Sequence, residues 1–584
     1  MSNFMKRRRS RQVKKIVPVL LADFYKIGHV FQYPKGTNKV YSTWTPRGSR
    51  IEEIQEVVAY GLQGFTIEFL IEYFNDNFFN RNLDEVIEEY VLYCKNCLFI
   101  EEPDSSHIEA LHSLGYLPIE VKAVPEGTKV PIRVPMFTVE NTHDDFAWIT
   151  NALETLISTE TWSAFTVATI AAKFREILDE YAIKTTGSTD GVEYQGHDFS
   201  MRGMSSLSHG AKVGGGHLLS FAGSDTITAI DYLYRYYNGN ITMGGIGCSV
   251  PATEHSVMCA NMPEDRDESV IIRRLLSETY PAGICSIVCD TFDFWRTVTE
   301  SVPLLKDLIM SRDGKFVIRP DSGDPVRILC GTVEMEDFTE DCKDLETAIK
   351  WATEEFEEEI REDAGHGEHG ASDYTGYFRY DGKVYELKLD FFWNRHDKQY
   401  YYLDETTVKS CTEYEFTAEQ KGLVEVLWDQ FGGTVTEQGF KVLDSHIGCI
   451  YGDAITLDRC REICVKLYAK GFASVNVVLG IGSYSYNANT RDTFGQAFKS
   501  TYAEIKGVPK ELFKDPKTDD GTKKSQKGRV AVYRNYDGII TYVDGLSREE
   551  EENFEGNMLE TVFKDGELVR FQTLEEVREV LKAA

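Results

Sequence analysis

KFVIRPDSGD, Lys315 to Asp324, is a short apolar run that ends in an arginine, an aspartate and a Ser-Gly turn. Arg319 and Asp321 lie two apart, so both face one way if the strand continues through them. A guanidinium fork can grip phosphate. A carboxylate can accept sugar hydroxyls or hold hydrated Mg²⁺. The same pair could equally form a simple salt bridge.

The theme of this run recurs along the chain. VEYQGHDF precedes SSLSHGAKVGGGHLLSF, and LLSFAGSDT precedes ITAIDYLYRYY. ICSIVCDTFDFW, IGCIYGDAI and SVNVVLGIGS repeat it. A strand followed by a helix, over and over, predicts parallel strands with helical crossovers. An open sheet would gather its polar residues at one switch point. A barrel places them on the loop after each strand. Here they come strand after strand: His197 and Asp198, Asp225, Glu254 and His255, Asp290 and Asp293, Arg319 and Asp321, Asp453, then Gly480 and Gly482. The expected fold is therefore an irregular α/β barrel.

Regions outside that rhythm suggest additions to the barrel. GYLPIEVKAVPEGTKVPIRVPMFTVE reads as short strands broken by Pro and Gly turns, and implies a β-rich flank. A long, apolar-periodic helix, bent or broken, is expected from about Asp145 to Tyr181. Residues 334–363 hold fourteen acidic and three basic side chains, a net of −11 within a total of −31. Leu345, Ile349, Ala352, Phe356 and Ile360 recur there at helical spacing, which predicts an amphipathic helix with a solvated acidic face. GYFRYDGKVYELKLDFFW then predicts a hairpin turning at Asp381-Gly382. The resulting plan is a basic disordered tail at 1–18, a flanking β-rich domain at 19–150, and barrel parts at 151–334 and 416–490. An acidic insertion occupies 335–415, and 491–584 completes the flank and a phosphate site.

Composition narrows the function. The 584 residues are 42% hydrophobic, as in a globular protein, and no run reaches the apolar length of a membrane span. The negative net charge argues against a nucleic-acid partner. Twelve scattered cysteines form no framework, and Cys94-Lys-Asn-Cys97 reads as two half-buried thiols on a helix. Free thiols suit a reducing compartment, and a cytoplasmic location is expected. Against this background the lysines and arginines at 499, 514, 523, 524, 527 and 529 suggest a polyanion site. HDFSMRG offers Phe199 and Arg202 to sandwich a flat ring. In SVPATEHS, His255 follows Glu254, and an imidazole oriented by a carboxylate is a competent nucleophile. Glu254, Asp290 and Asp293 are all candidates for that orienting carboxylate.

Taken in order, LLADFYKIGHVFQYP, MFTVENTHDDF, HDFSMRGMSS, GSDT, SVPATEHS, IRPDSGDP, YGDAI and FKDP…KKSQKGR form a string of motifs. It resembles the nicotinamide phosphoribosyltransferases of the type II phosphoribosyltransferase family. The resemblance runs from about Val19 to the C-terminus, apart from the insertion. It implies a homodimer with shared active sites that joins nicotinamide to phosphoribosyl pyrophosphate, with Mg²⁺ held mainly by substrate phosphates. It implies that Phe199 stacks on nicotinamide, opposed by Tyr25 of another subunit with Asp23 nearby. Arg202 and Arg319 become base- and phosphate-side contacts, and Asp321 the ribose- or base-side carboxylate. Gly452, Asp453, Gly482 and Ser483 lie on the ribose and 5′-phosphate loops. Arg47, Arg491, Lys499, Lys514 and Lys523 become phosphate and pyrophosphate contacts. Asp225 matches the residue that selects the amide, since a carboxylate would repel nicotinate. His255 matches a histidine that ATP phosphorylates, which couples turnover to ATP hydrolysis.

The chain departs from the family pattern twice. Its glycine run is Gly480-Ile481-Gly482-Ser483-Tyr484, and Ala497 replaces a serine two residues before Lys499. Other readings remain at this point: a nicotinate-using enzyme, a non-catalytic nucleotide-binding regulator, or a barrel glycosidase. The last would leave Phe199 and the lysines without a purpose.

Overall fold

The computed structural model describes residues 15–333, 335–363, 372–395, 401–452, 454–513 and 526–583. Residues 1–14 of the basic tail, Asp453, Lys514, Lys523 and Lys524 lie outside the described residues. Val17, which the sequence assigns to the tail, is fully buried, and its N–H donates to Glu89. The chain forms two compact units. One comprises 1–250, 452–464 and 478–584, the other 251–451 and 465–477.

Six short strands carry the βα rhythm: β1 (Gly196–Asp198), β2 (Gly223–Ser224), β3 (Cys285–Val288), β4 (Phe316–Arg319), β5 (Ile447–Tyr451) and β6 (Val477–Ile481). Six helices matter to the site and its supports: α1 (Glu154–Thr186), α2 (Leu207–His217), α3 (Ile227–Tyr236), α4 (His255–Asn261), α5 (Leu345–Asp363) and α6 (Ser483–Asn487). All the recorded pairings among these strands are parallel.

In the first unit β1 lies between β2 and β6, with Leu479 beside Gly196 and Ile481 beside Asp198. Gly223 also bridges to Cys248. The last strand of the repeat thus sits beside the first, as in a curled, barrel-like sheet. In the second unit Ala252 bridges to Ser286, and β3, β4 and β5 follow in chain order. The strands are short and run nearly wholly buried, as parallel strands covered on both faces must be.

The flank of the first unit is a seven-stranded sheet whose recorded pairings are antiparallel. Its order is Val508–Glu511, Gln496–Ile505, Thr37–Pro46, Phe137–Asn141, Ile119–Ala123, Glu560–Lys564, Glu567–Leu568. Residues from both ends of the chain therefore share one sheet. Trp44 and Phe137 stack at 5.5 Å, and Phe165 of α1 packs against both. The expected long helix appears as Ala147–Ala152 and α1, interrupted at Leu153. Gly187 ends α1 in the left-handed conformation, at φ 75°. The flank also contains helices Leu83–Cys97 and Ser106–Leu114, which strand-like patterning around residues 115–140 does not foretell. Cys94 is buried and Cys97 exposed on the first of these.

The insertion folds around its own small core. Ala348, Ala352 and Phe356 of α5 pack on Phe378, Leu387 and Leu389 of an antiparallel hairpin. The hairpin turns at Asp381 and Gly382, with φ 49° and 72°, the two left-handed positions of a tight hairpin turn.

Candidate active site

The strand-end residues of the first unit form one connected group. Asp198, wholly buried at the end of β1, accepts the Ser200 N–H at 2.9 Å and the Thr226 hydroxyl at 2.6 Å. These bonds tie the loop after β1 to the loop after β2. The Asp225 N–H donates to the Asp198 carbonyl at 3.0 Å. The Asp225 carboxylate then meets His197 Nε2 at 3.0 Å and accepts the Ser249 hydroxyl. Sequence reasoning missed Ser249, although it stands in the same SVPATEHS run as His255. With its side chain 42% exposed, Asp225 is clamped yet reachable.

Phe199 sits beside His197, with ring centroids 4.6 Å apart, and its N–H donates to Ile481 of β6 at 3.0 Å. The main chain of β6 thereby fixes where the aromatic ring stands. Arg202 is exposed in the turn Met201–Gly203. Gly203 is required by packing, because a Cβ there would lie 2.0 Å from the Ser483 hydroxyl. Ser483 therefore spends its side chain against Gly203. At Gly482 a Cβ would meet nothing within 4 Å, so the backbone there is open to close approach.

The cations have different surroundings. Arg47 Nε donates to the Gly495 carbonyl at 3.2 Å. Arg491 is exposed at the start of a turn capped by Thr490. Lys499 is half-exposed and stands 3.5 Å from Glu154. Ala497 is buried opposite Thr45. Arg529 corrects the sequence reading. It is buried, forks onto Glu140 at 3.0 and 2.6 Å, and bonds Glu551, so it cross-braces the flank and offers nothing to a polyanion. Tyr25 is 63% exposed, and Asp23 accepts the Thr155 hydroxyl at 2.7 Å.

The second unit holds the other group. His255 Nε2 lies 3.1 Å from Asp290 Oδ1, with the imidazole 44% exposed and the carboxylate almost fully covered. Asp290 Oδ2 accepts the Asp321 N–H at 2.8 Å and the Ser322 hydroxyl at 2.7 Å. An ionised carboxylate only accepts, so Nε2 carries the proton and Nδ1 keeps its lone pair. Of the three candidate orienters, Asp290 is the one that reaches the imidazole. Glu254 accepts the Ser256 hydroxyl, and Asp293 accepts the Arg296 N–H at 3.0 Å, each a local helix-start contact.

Arg319 and Asp321 form no recorded salt bridge with each other. Arg319 instead donates to the Thr253 carbonyl at 2.7 Å, and its buried Nε has no partner. Glu268 is a further acid that sequence reasoning did not single out. It is buried, and burial, offset in part by Thr297 and reinforced by Asp290, Asp267 and Asp293, pushes its pKa up to about 7. Gly452 follows β5 half-buried. Among the described residues no group of three His, Cys, Asp or Glu side chains is placed to hold a metal.

In each unit, carboxylates and imidazoles lie on loops after parallel strands, as in enzymes of the α/β barrel class. Residues 194–567 match the nicotinate phosphoribosyltransferase (NAPRTase) family, and residues 18–121 match the nicotinamide phosphoribosyltransferase N-terminal domain. The chain is 43% identical over 578 residues to a nicotinamide phosphoribosyltransferase of Acinetobacter baylyi, covering 97% of each chain. It is 28% identical to one of Mycoplasma pneumoniae, over 88% of this chain and 94% of that one. Human nicotinic acid phosphoribosyltransferase aligns over 96% of this chain and 93% of its own, at 14% identity and a TM-score of 0.48. The chain belongs to the nicotinate phosphoribosyltransferase family.

Proposed function

We propose that the chain transfers phosphoribosyl from phosphoribosyl pyrophosphate to nicotinamide, forming nicotinamide mononucleotide and pyrophosphate in NAD salvage. The observation that carries this reading is the Asp225 carboxylate, clamped by His197 and Ser249 beside the Phe199 ring. A carboxamide can donate N–H bonds to that carboxylate, whereas the carboxylate of nicotinate would meet like charge. The names of the Acinetobacter and Mycoplasma relatives support the same choice.

In this reading Phe199 holds the pyridine ring so that its nitrogen faces the anomeric carbon. The new C–N bond forms as the bond to pyrophosphate breaks. Negative charge moves to the leaving group, where Arg319, Arg47, Arg491 and Lys499 supply fixed positive charge. Lys514 and Lys523 keep the same assignment from sequence. Mg²⁺, carried by the substrate phosphates, would neutralise part of that charge. Arg202 is assigned to the base, Asp321 to the ribose or the base, and Gly452 and Gly482 to the ribose and 5′-phosphate. Tyr25, exposed on its short helix, is assigned to the pocket of a second subunit in a homodimer. His255 Nδ1 is assigned to attack the γ-phosphate of ATP, forming an N–P bond as the bond to the bridging oxygen breaks and ADP leaves, with Asp290 stabilising the imidazole as it takes on charge.

The test is mononucleotide formation by purified protein with phosphoribosyl pyrophosphate and Mg²⁺, offered nicotinamide or nicotinate, with and without ATP. Product from nicotinamide, raised by ATP, is expected. Asp225→Ser should weaken nicotinamide use and admit some nicotinate. Product from nicotinate alone, or an unchanged substrate ratio in the variant, would overturn the reading.

A further inference from the structure

His217 has no part in the chemistry above, yet it is wholly buried at the end of α2 and uses both ring nitrogens. Nε2 lies 3.0 Å from the carbonyl of Gly223, and Nδ1 lies 2.7 Å from the Tyr486 hydroxyl. A carbonyl only accepts, so Nε2 carries the proton and Nδ1 accepts from the phenol. The ring stacks on Phe221 at 5.0 Å, which fixes its plane. Burial holds the imidazole neutral, with its pKa lowered to about 4, so this pattern persists at neutral pH.

The two partners lie on different parts of the site. Gly223 begins β2, pairs with His197, and stands two residues before Asp225. A Cβ at Gly223 would lie 2.7 Å from His197 Nδ1, so that contact is already at its limit. Tyr486 is the buried residue of α6, the helix that Gly482 opens. The same helix holds Ser483 against Gly203 and donates from Asn487 to the Gly203 carbonyl at 2.9 Å. One imidazole thus joins the strand that aims the amide-selecting carboxylate to the helix assigned to the sugar phosphate.

We propose that His217 is a positioning residue that sets β2, and so Asp225, against α6. The inference rests on the proposed reaction, because it gives those two elements the base and the phosphate.

The two bonds can be cut separately. His217→Gln can place a donor where Nε2 stood and keep Gly223. His217→Asn can place an acceptor where Nδ1 stood and keep Tyr486. Tyr486→Phe removes one hydroxyl from an otherwise unchanged core. The expected result is a split. His217→Gln and Tyr486→Phe raise the KM for phosphoribosyl pyrophosphate about tenfold, the size of one lost buried hydrogen bond. His217→Asn raises the KM for nicotinamide and erodes the preference over nicotinate. Equal losses on both substrates in all three variants would leave only a structural role and overturn the proposal.

A second readout does not need turnover. In protein labelled with ¹⁵N-histidine, His217 should show the neutral Nε2–H form down to about pH 5. Tyr486→Phe should shift His217 Nδ1 and also the His197 signal, which reports on Asp225. A His197 signal that stays put would overturn the coupling even in an active enzyme. If the wild type makes no product from nicotinamide, the proposed reaction fails, and the His197 shift still decides whether β2 and α6 are coupled.

Discussion

At the scale of single residues, two buried charges behave in opposite ways. Arg529 is satisfied by Glu140 and Glu551, and its guanidinium also covers the Tyr41 ring at 4.5 Å. Replacing it leaves two buried carboxylates short of a partner, which costs about 3–5 kcal/mol. Arg529→Met should therefore lower the midpoint of thermal unfolding by several degrees while leaving KM values unchanged. A change in the KM for phosphoribosyl pyrophosphate without loss of stability would restore the phosphate-site reading of Arg529. Glu268 has no cation beside it, Thr297 offsets its burial only in part, and its folded pKa is raised to about 7 from an ordinary 4.5. Its stability contribution is greatest below about pH 4.5 and is lost as the pH rises through about 7. Glu268→Gln should raise the unfolding midpoint at pH 8 relative to wild type and leave it nearly unchanged at pH 5. Equal shifts at both pH values would show that Glu268 is not the titrating group.

At the scale of elements, α5 and its sheet form a self-contained addition. Sequence periodicity identified the buried stripe because 3.6-residue spacing survives without tertiary information. Of that stripe Ala352, Phe356 and Ile360 are buried and Leu345 and Ile349 partly buried, while Ala348, outside it, is buried too. Phe356 lies so close to Gly376 that a Cβ there would stand 2.4 Å from the ring. Phe356→Ala should loosen the insertion, seen as faster amide exchange in 372–391, while mononucleotide formation holds within about twofold, since no site residue packs in that core. A large fall in turnover would give the insertion a role in the reaction.

At the scale of the whole molecule, the last residues complete elements begun near the first. Glu560–Lys564 pairs with Ile119–Ala123, and Leu574, Val577 and Leu581 of the final helix join the cluster around Tyr60, Tyr232 and Tyr237. That helix crosses so close to Gly127 that a Cβ would lie 2.2 Å from the Val577 carbonyl. Truncation after residue 558 should strand an open sheet edge and an uncovered apolar face. The expected outcome is aggregated protein or loss of a cooperative unfolding transition. A soluble, active truncation would show that the flank closes without its final strand.

The sequence by itself determined the βα rhythm, the insertion, the order of the motifs and the residue types on each strand-end loop. These are local quantities, carried by period, by turn residues and by spacing. It could not choose among Glu254, Asp290 and Asp293, because which carboxylate reaches an imidazole depends on how separate loops meet. Only the tertiary structure decided that Asp290 does so, while its two rivals make helix-start contacts two and three residues from their own positions. It also moved Arg529 from a presumed anion site into a buried ion network, since a basic run says nothing about which side chain points inward. Glu268 and His217 lie in no motif the sequence singled out, and Ser249 lies in one without a role legible there. Their significance comes from burial or from partners up to 269 residues away, and that information exists only once the chain has folded.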